Sequence, residues 1–437
     1  MAKKPARKTR SRPSPAPRRK KGAAEIFVEE LQGRPTERAS GARRVGQIVF
    51  VPLLAVFSGL IVGGLIIVLT TPAVYTGFGQ SIGQGLAAAW EAAAKAYTAL
   101  FTGSIGDPAR MVSALQTMDP EDLRRAFNPF LESLVVTTPY IFAGLAVALG
   151  FRSGLFNIGA EGQLFVGAIT SAYVGYSITG LPAIIHIPLA LLAGAAGGAL
   201  WGSIPGLPKA YTGGHEVINT TMMNYIAFRL SHWLLNGPMQ RPASFNPISP
   251  TIQPSAMLPQ FFASPIRFHL GFFIALGVAY LVYWFLFRTV WGFDLRTVGA
   301  NPRAARYAGM SIARTTVAAM AFSGALAGLA GTNEVLGVNH NLAMAFSSGY
   351  GFDAIALALL GKSHPLGVVL AALLFGTLRS GATRMQLDAG IPIDIISVLQ
   401  AVILAFVAAP AIIRTIYRLR TPVETEEGVS VRSWGST

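Results

Sequence analysis

Long apolar stretches separated by polar segments dominate this chain of 437 residues. The first, Ile48 to Leu69, carries no charge and reaches the length of about 20 residues that a membrane-spanning helix needs. Both this run and the polar segment before it are too long for a cleaved signal peptide, so we expect a retained span. Nine further stretches follow, at about 131–150, 164–179, 183–204, 216–235, 269–287, 315–336, 350–361, 365–380 and 391–413.

This pattern predicts an all-α membrane protein, a polytopic helical bundle of about 10 transmembrane helices. One or two segments are expected to be broken or re-entrant, the short stretch at 350–361 among them. Glycines four residues apart, as in Gly194/Gly198 and Gly324/Gly328, predict close packing of helix backbones in the bundle.

Two polar inserts interrupt the apolar stretches. Residues 72–128 contain a predicted amphipathic helix from about Ala87 to Phe101. Residues 236–266 contain seven prolines, which favour an extended loop over a span. Both inserts are predicted to lie on the outer side.

The positions of lysine and arginine in the short loops predict the orientation. Loops on one side are basic, and basic loops face the cytoplasm. The predicted inner loops hold Arg152, Lys209, Arg288, Arg296, Arg303, Arg306, Arg314, Lys362, Arg414, Arg418 and Arg420. Both termini are therefore expected inside (N-in and C-in), although Arg379 and Arg384 fit this map less well.

Composition supports the membrane interpretation and locates the charge. Charged residues are only 13% of the chain and apolar ones 52%, too little charge to cover a soluble fold of this size. Of the net charge of +15, residues 1–44 carry +10. We predict a basic disordered cytoplasmic tail at 1–44, a transmembrane domain at 45–420 and a cytoplasmic C-terminal tail at 421–437. The basic tail suits anionic lipid or nucleic acid, but a solvated extension that helps set orientation is favoured.

The segment 150–163 is unusually polar and glycine-rich for a membrane protein. It places Asn157, Glu161 and Gln163 between two apolar runs. Irregular polar backbone is tolerated at membrane depth only where protein or a water-filled cavity satisfies it, and a buried acid there is a functional candidate. The structural alternative for Glu161 is a carboxylate that caps a helix or pairs with Arg152.

A second polar segment follows His215. At helical spacing Glu216, Asn219 and Thr220 share one face, which Asn224 extends, so they line either a helix interface or a solute path. Asp353 is a further acid inside an apolar stretch.

Catalytic and metal-binding patterns are not recognised. Asn219 stands where a zinc-binding His-Glu-x-x-His motif needs its second histidine, and Ala356 replaces the first glycine of a P-loop ending in Gly361-Lys362-Ser363. The chain has no cysteine. We therefore predict no metal site, no catalytic residue and no cofactor on this chain.

The segment 301–309 has the signals of a short capped helix in a basic inner loop at 288–314. Asn301 suits the N-cap, Pro302 the first turn and Gly309 the position beyond the end. Such a helix is either a docking element for a cytosolic partner or a connector held at the headgroups by its arginines.

These segments resemble permease subunits of bacterial ATP-binding-cassette (ABC) importers. The resemblance is carried by the 154–163 segment, by Glu216-Val-Ile-Asn219 with 223–227, by 299–309, by 351–356 and by Pro365-Leu-Gly367. It runs from about 48 to 415 and is nearest to the simple-sugar and nucleoside branch, related to branched-chain amino acid permeases. His215 departs from it, since a small polar residue is expected there.

The resemblance implies a multi-pass protein of the bacterial inner membrane and a set of partners. These are a second, similar permease subunit (a heterodimer), a cytosolic ATPase that holds ATP and Mg, an extracytoplasmic solute-binding lipoprotein and membrane lipid, with no nucleic acid. The solute is expected to be a nucleoside, with purines nearest, or a simple sugar. The coupling helix that docks on the ATPase then comprises Asn301, Pro302, Arg303, Ala304, Ala305, Arg306 and Gly309. The translocation path comprises Asn157, Glu161, Gln163, Glu216, Asn219, Asn224 and Asp353.

Two alternatives remain open from the residues. One is a proton-coupled secondary transporter of a small polar solute, with Glu161, Glu216 or Asp353 as a proton relay. The other is a membrane-anchored scaffold whose basic tail binds nucleic acid or lipid.

Overall fold

The computed structural model describes residues 41–418 with the exception of Ala345. Within this part of the chain the regular structure is helical, and β-type pairing is confined to two isolated bridges. The all-α prediction is therefore confirmed. Of the predicted tails, only 41–44 are described, and they begin the first helix, so the domain boundaries stay predictions.

Sixteen α-helices follow one another in the described chain. The first eight are α1 (Gly41–Thr70), α2 (Pro72–Gln80), α3 (Ile82–Ser104), α4 (Pro108–Thr117), α5 (Pro120–Arg152), α6 (Ala160–Ser177), α7 (Ala183–Thr212) and α8 (Glu216–Leu235). The others are α9 (Gly271–Arg288), α10 (Val290–Ala300), α11 (Pro302–Tyr307), α12 (Ile312–Asn333), α13 (Tyr350–Leu360), α14 (Pro365–Ala389), α15 (Asp394–Ala408) and α16 (Pro410–Ile416). A 3₁₀ turn occupies Pro254–Ala256, and a π-helical segment, Glu334–Asn339, continues α12.

Each of the ten predicted apolar stretches falls on helical structure, and the last, 391–413, is divided between α15 and α16. Within the described residues, six helices are long and apolar enough to cross a membrane: α1, α5, α7, α9, α12 with its π-helical continuation, and α14. Helices α13 and α15 are apolar but shorter. The finding supports a multi-pass membrane protein, while the count of about ten spans and the orientation stay predictions.

Helix α5 lies at the centre of the bundle. Its residues 137–151 are buried all round, as expected of a helix without a polar face. It packs against α12, α13 and α14, and its Tyr140 makes edge-on ring contacts with Tyr350 and Phe375. The helix therefore fixes the positions of the elements that carry the polar residues described below.

The predicted glycine packing is confirmed between α7 and α12. A methyl group on Gly198 would lie 2.2 Å from the carbonyl oxygen of Gly324, and one on Gly328 would lie 2.4 Å from the carbonyl oxygen of Gly194. These distances leave no room for a side chain on either helix. The two backbones are in direct contact, as small residues permit in membrane helix pairs.

The two inserts differ in structure. The predicted amphipathic helix is α3, and its Ala99 and Leu100 join Leu378 and Ala382 of α14 in one buried cluster. The first insert is therefore partly integrated into the bundle, which the sequence did not indicate. The 236–266 insert forms the predicted loop, with one 3₁₀ turn inside it.

Candidate functional site

The N-termini of two helices, α6 and α13, meet inside the bundle. A non-helical segment, 153–159, joins the end of α5 to α6. Helix α13 has 11 residues and spans about 16 Å, roughly half of a hydrocarbon core. A methyl group on Gly351, in its first turn, would lie 2.3 Å from the backbone nitrogen of Glu161, so the two helix starts touch. Such a break brings backbone N–H groups to the interior of the bundle.

Glu161 caps α13 across this junction. Its Oε2 accepts a hydrogen bond from the N–H of Gly351 at 2.6 Å, and its Oε1 accepts one from the Oγ of Ser347 at 2.5 Å. The side chain is buried, so these bonds replace its water shell. Arg152 lies elsewhere, with its Nε donating to the carbonyl of Ser363 at 2.9 Å. The geometry is that of the helix-capping alternative.

Asn157 and Gln163 form a reciprocal amide pair. The Nδ2 of Asn157 donates to Oε1 of Gln163 and to Oγ of Ser323, both at 2.8 Å. Its Oδ1 accepts from Nε2 of Gln163 at 3.2 Å and from the N–H of Gly159 at 2.9 Å. Ser323 in turn donates to the carbonyl of Ala146 at 2.7 Å. All three side chains are buried, and the network joins α5, α6 and α12.

Asn224 of α8 closes the other side of the same segment. Its Oδ1 accepts from the N–H of Gly162 at 2.8 Å, and its Nδ2 donates to the carbonyl of Ile158 at 3.0 Å. A methyl group on Gly162 would lie 2.9 Å from the Cα of Asn224, so the amide lies directly against the first turn of α6. It pairs two backbone groups that the helix itself cannot satisfy.

Asp353 belongs to the same region through α5. The hydroxyl of Tyr140 donates to its Oδ2 at 2.9 Å, next to the ring of Tyr350. The structure therefore brings together five of the predicted path residues: Asn157, Glu161, Gln163, Asn224 and Asp353.

Glu216 and Asn219 do not reach this cluster. Glu216 pairs with Lys209 at 2.8 Å across the turn between α7 and α8. The Nδ2 of Asn219 lies 3.2 Å from the position of a methyl group on Gly214, in the same turn. The predicted polar face of α8 thus divides into a part at the helix start and a buried part around Asn224.

The predicted capped helix at 301–309 is found as α11. The N–H of Ala304 donates to the Oδ1 of Asn301 at 3.0 Å, Pro302 opens the helix, and Gly309 has φ +80°. Arg303 and Arg306 are exposed. Ala305 is buried, so one face of α11 packs on the bundle while the arginines face outward.

Several residues in this arrangement have no signal in the sequence. In the sequence, Ser323 and Ser347 are ordinary small residues, and Tyr140 is a single aromatic residue in an apolar run. The contact between Gly154 and Gly299 is also new: a methyl group on Gly154 would lie 2.9 Å from the Cα of Gly299. It joins the end of α10, next to α11, to the segment that carries Asn157.

Comparison with known proteins places this geometry in a family. Residues 130–418 match the family described as "Branched-chain amino acid transport system / permease component". The guanosine ABC transporter permease protein NupP of Bacillus subtilis is 39% identical over 84% of this chain and 94% of that protein. The glucose ABC transporter permease protein TsgB13 of Haloferax volcanii is 37% identical over 68% and 80%, respectively.

A third relative extends the comparison. The nucleoside ABC transporter permease protein NupB of Lactococcus lactis is 32% identical over 87% of this chain and 96% of that protein. No solved structure matches. The matched region contains every candidate residue named above.

Proposed function

The chain belongs to the family of branched-chain amino acid transport system permease components and is an ABC transporter permease. From this premise we propose its solute and its partners. The solute is a nucleoside, with purine nucleosides first, or a simple sugar. The chain forms half of the path along which that solute enters the cell. The names of the relatives, which specify guanosine, glucose and nucleosides, support this class of solute.

One observation carries the assignment of the path. Two broken-helix N-termini meet inside an apolar bundle, and buried polar side chains from α5, α6, α8, α12 and α13 surround them. In membrane transporters, solute sites form where helices are interrupted, because the ends supply polar groups at membrane depth. The junction of Glu161 and Gly351 is therefore the proposed centre of the path.

Helix α11 is the proposed coupling element. Its exposed Arg303 and Arg306 provide a basic surface for a cytosolic ATPase. The backbone contact between Gly299 and Gly154 leads from this helix to the segment of Asn157. ATP-driven movement at α11 would shift the amide network and open the path by alternating access.

The proposed assembly follows the predicted topology. About ten spans cross a bacterial inner membrane with both termini in the cytoplasm. A second permease subunit completes the path, a separate ATPase subunit binds ATP and Mg, and a solute-binding lipoprotein delivers solute from outside.

Reconstitution with these partners tests the proposal. Proteoliposomes that hold the full assembly should accumulate guanosine only with ATP inside. Arg303→Glu with Arg306→Glu should reduce uptake at least about tenfold by reversing the docking charge, without loss of membrane insertion. Arg124→Glu, an exposed arginine in the first turns of α5, serves as the matched control and should transport normally. Uptake by this chain alone, driven by a proton gradient, would favour the secondary transporter instead.

A further inference from the structure

A second buried polar cluster lies where α12 changes from α-helical to π-helical winding. It consists of Asn333, the last residue of α12, and His269, in the loop before α9; each is 1% exposed. Two glycines make room for them. A methyl group on Gly271 would lie 2.1 Å from Oδ1 of Asn333, and one on Gly337 would lie 2.5 Å from Cε1 of His269. Both side chains thus converge on the start of α9.

The cluster presents unused hydrogen-bonding groups. Among the described residues, neither Oδ1 nor Nδ2 of Asn333 has a hydrogen-bond partner, and neither has Nε2 of His269. The Nδ1 of His269 accepts from the N–H of Gly271 at 3.1 Å. Buried polar groups are nearly always paired, so an unpaired amide and imidazole that converge on one point call for a functional explanation. Short π-helical segments occur frequently at functional sites.

A strap formed by residues 248–258 runs along the π-helical segment that follows Asn333. The N–H groups of Ile252 and Leu258 donate to the carbonyls of His340 and Leu336, both at 2.9 Å, and Ser249 bonds to Leu342. The strap belongs to the insert predicted to face outward, where a delivered solute arrives. Beside these backbone hydrogen bonds, Ile252, Ala256 and Leu258 of the strap are buried in one apolar cluster with Val335 and Leu336 of the π-helical segment. Water can replace the hydrogen bonds when the strap lifts, and the apolar side chains must separate in the same movement.

The unpaired polar groups of Asn333 and His269 fit an uncharged, planar ligand. A primary amide offers one donor group beside one acceptor and pairs bidentately with the edge of a nucleobase. Phe268 precedes His269 in the chain, and its ring centroid lies 5.9 Å from that of Phe272. Aromatic surfaces of this kind suit the flat face of a base.

We propose that Asn333 and His269 form an outer recognition subsite for the base of a nucleoside, open to solute when the strap lifts. The proposal rests on the proposed function, because it assumes a nucleoside as the solute. It adds a second contact point, separate from the junction of Glu161 and Gly351 and nearer to the face where the solute arrives.

Uptake of labelled guanosine and adenosine tests the subsite. Cells that lack other nucleoside uptake would carry the complete importer with wild-type chain or with Asn333→Leu. The variant should raise the KM for guanosine at least about tenfold, because the base loses its amide partner. It should also change the ratio of guanosine to adenosine uptake, because the edges of the two bases differ. The melting temperature of the purified chain should stay equal or rise, since leucine removes an unpaired buried amide.

The matched control is Thr332→Val. Thr332 is buried beside Asn333 but faces α7, and its hydroxyl donates to the carbonyl of Gly328 at 2.8 Å within its own helix. Its variant should keep the wild-type KM and ratio. If Asn333→Leu does not accumulate, His269→Gln carries the same test.

The outcomes distinguish a failure of the subsite from a failure of the nucleoside assignment. Guanosine uptake by Asn333→Leu with unchanged KM would overturn the subsite alone, as would an equal loss for both nucleosides, which indicates a ribose contact. A lowered melting temperature with unchanged KM would indicate a structural role and also overturn it. Wild-type uptake of glucose but of neither nucleoside would overturn the nucleoside assignment itself.

Discussion

Gly154 and Gly299 bring two chain segments into backbone contact with no side chain between them. A methyl group on Gly299 would lie 2.5 Å from the carbonyl oxygen of Arg152 and 2.7 Å from the backbone nitrogen of Gly154. Gly154 has φ +71°, a conformation that glycine adopts without strain. The contact links the proposed coupling helix to the segment that holds Asn157, and a side chain at either glycine would separate them.

Gly299→Ala should weaken this link. We expect at least about a tenfold loss of ATP-driven uptake, because the new methyl group moves α10 away from the 152–154 segment while the rest of the bundle stays packed. Transport and ATP hydrolysis by the reconstituted assembly should be measured together, and hydrolysis should persist without matching transport. Gly277→Ala is the control, since a methyl group there has no neighbour within 4 Å. Equal effects of the two substitutions would contradict a specific role.

Glu161→Ala should destabilise the chain by about 2–4 kcal/mol, because two charge-assisted hydrogen bonds to Ser347 and Gly351 are lost. Glu161→Gln keeps the shape and can still accept the N–H of Gly351, so it should retain most ATP-driven uptake. Thermal unfolding of the purified variants and uptake by the assembly measure the two effects. Complete loss of uptake in the Gln variant, with normal folding, would instead support a proton relay at this position.

Asn224→Ala should cost about 2–4 kcal/mol of unfolding free energy. It leaves the N–H of Gly162 and the carbonyl of Ile158 buried without their partner. Asn219→Ala, five residues earlier on α8, provides the comparison, because this residue is only half-buried. Its effect should remain below about 0.5 kcal/mol. Melting temperatures in detergent distinguish the two variants. A similar loss of stability at both positions would argue against a stabilising role of the buried amide of Asn224.

The burial of His269, in the loop before α9, predicts that the stability of the folded chain falls in acid. Burial, with the nearby charges of His340 and Arg267, lowers the pKa of His269 to about 4 from its ordinary value of 6.5. Between these values the unfolded chain binds the proton and the folded chain does not, so stability falls as the pH drops. From pH 7 to pH 5 the contribution is about 2 kcal/mol.

Melting temperatures measured over this range test the effect. The loss between pH 7 and pH 5 should be smaller in His269→Gln than in the wild-type chain, because glutamine does not titrate. An identical loss in both chains would show that His269 does not titrate as expected.

Local signals in the sequence predicted much of the fold. The ten apolar stretches coincide with helical structure, because a run of apolar residues in a membrane protein forms a helix from its own local sequence. Asn301 and Gly309 bound α11 as predicted, since capping depends on neighbours three or four positions away. The glycine pairs of α7 and α12 also meet as expected, because four-residue spacing is itself the packing signal.

What the sequence by itself determined is therefore the set of helices, their caps and the list of polar residues inside apolar runs. The tertiary structure decided which of these residues meet. Glu161 accepts a hydrogen bond from Gly351, which lies 190 positions away in the chain, and Asn157 donates one to Ser323, which lies 166 positions away. Glu216, of the same chemical type as Glu161, stays with Lys209 at a turn. Hydropathy and capping act over a few residues, whereas these partnerships depend on how whole helices pack, and only the folded bundle contains that information.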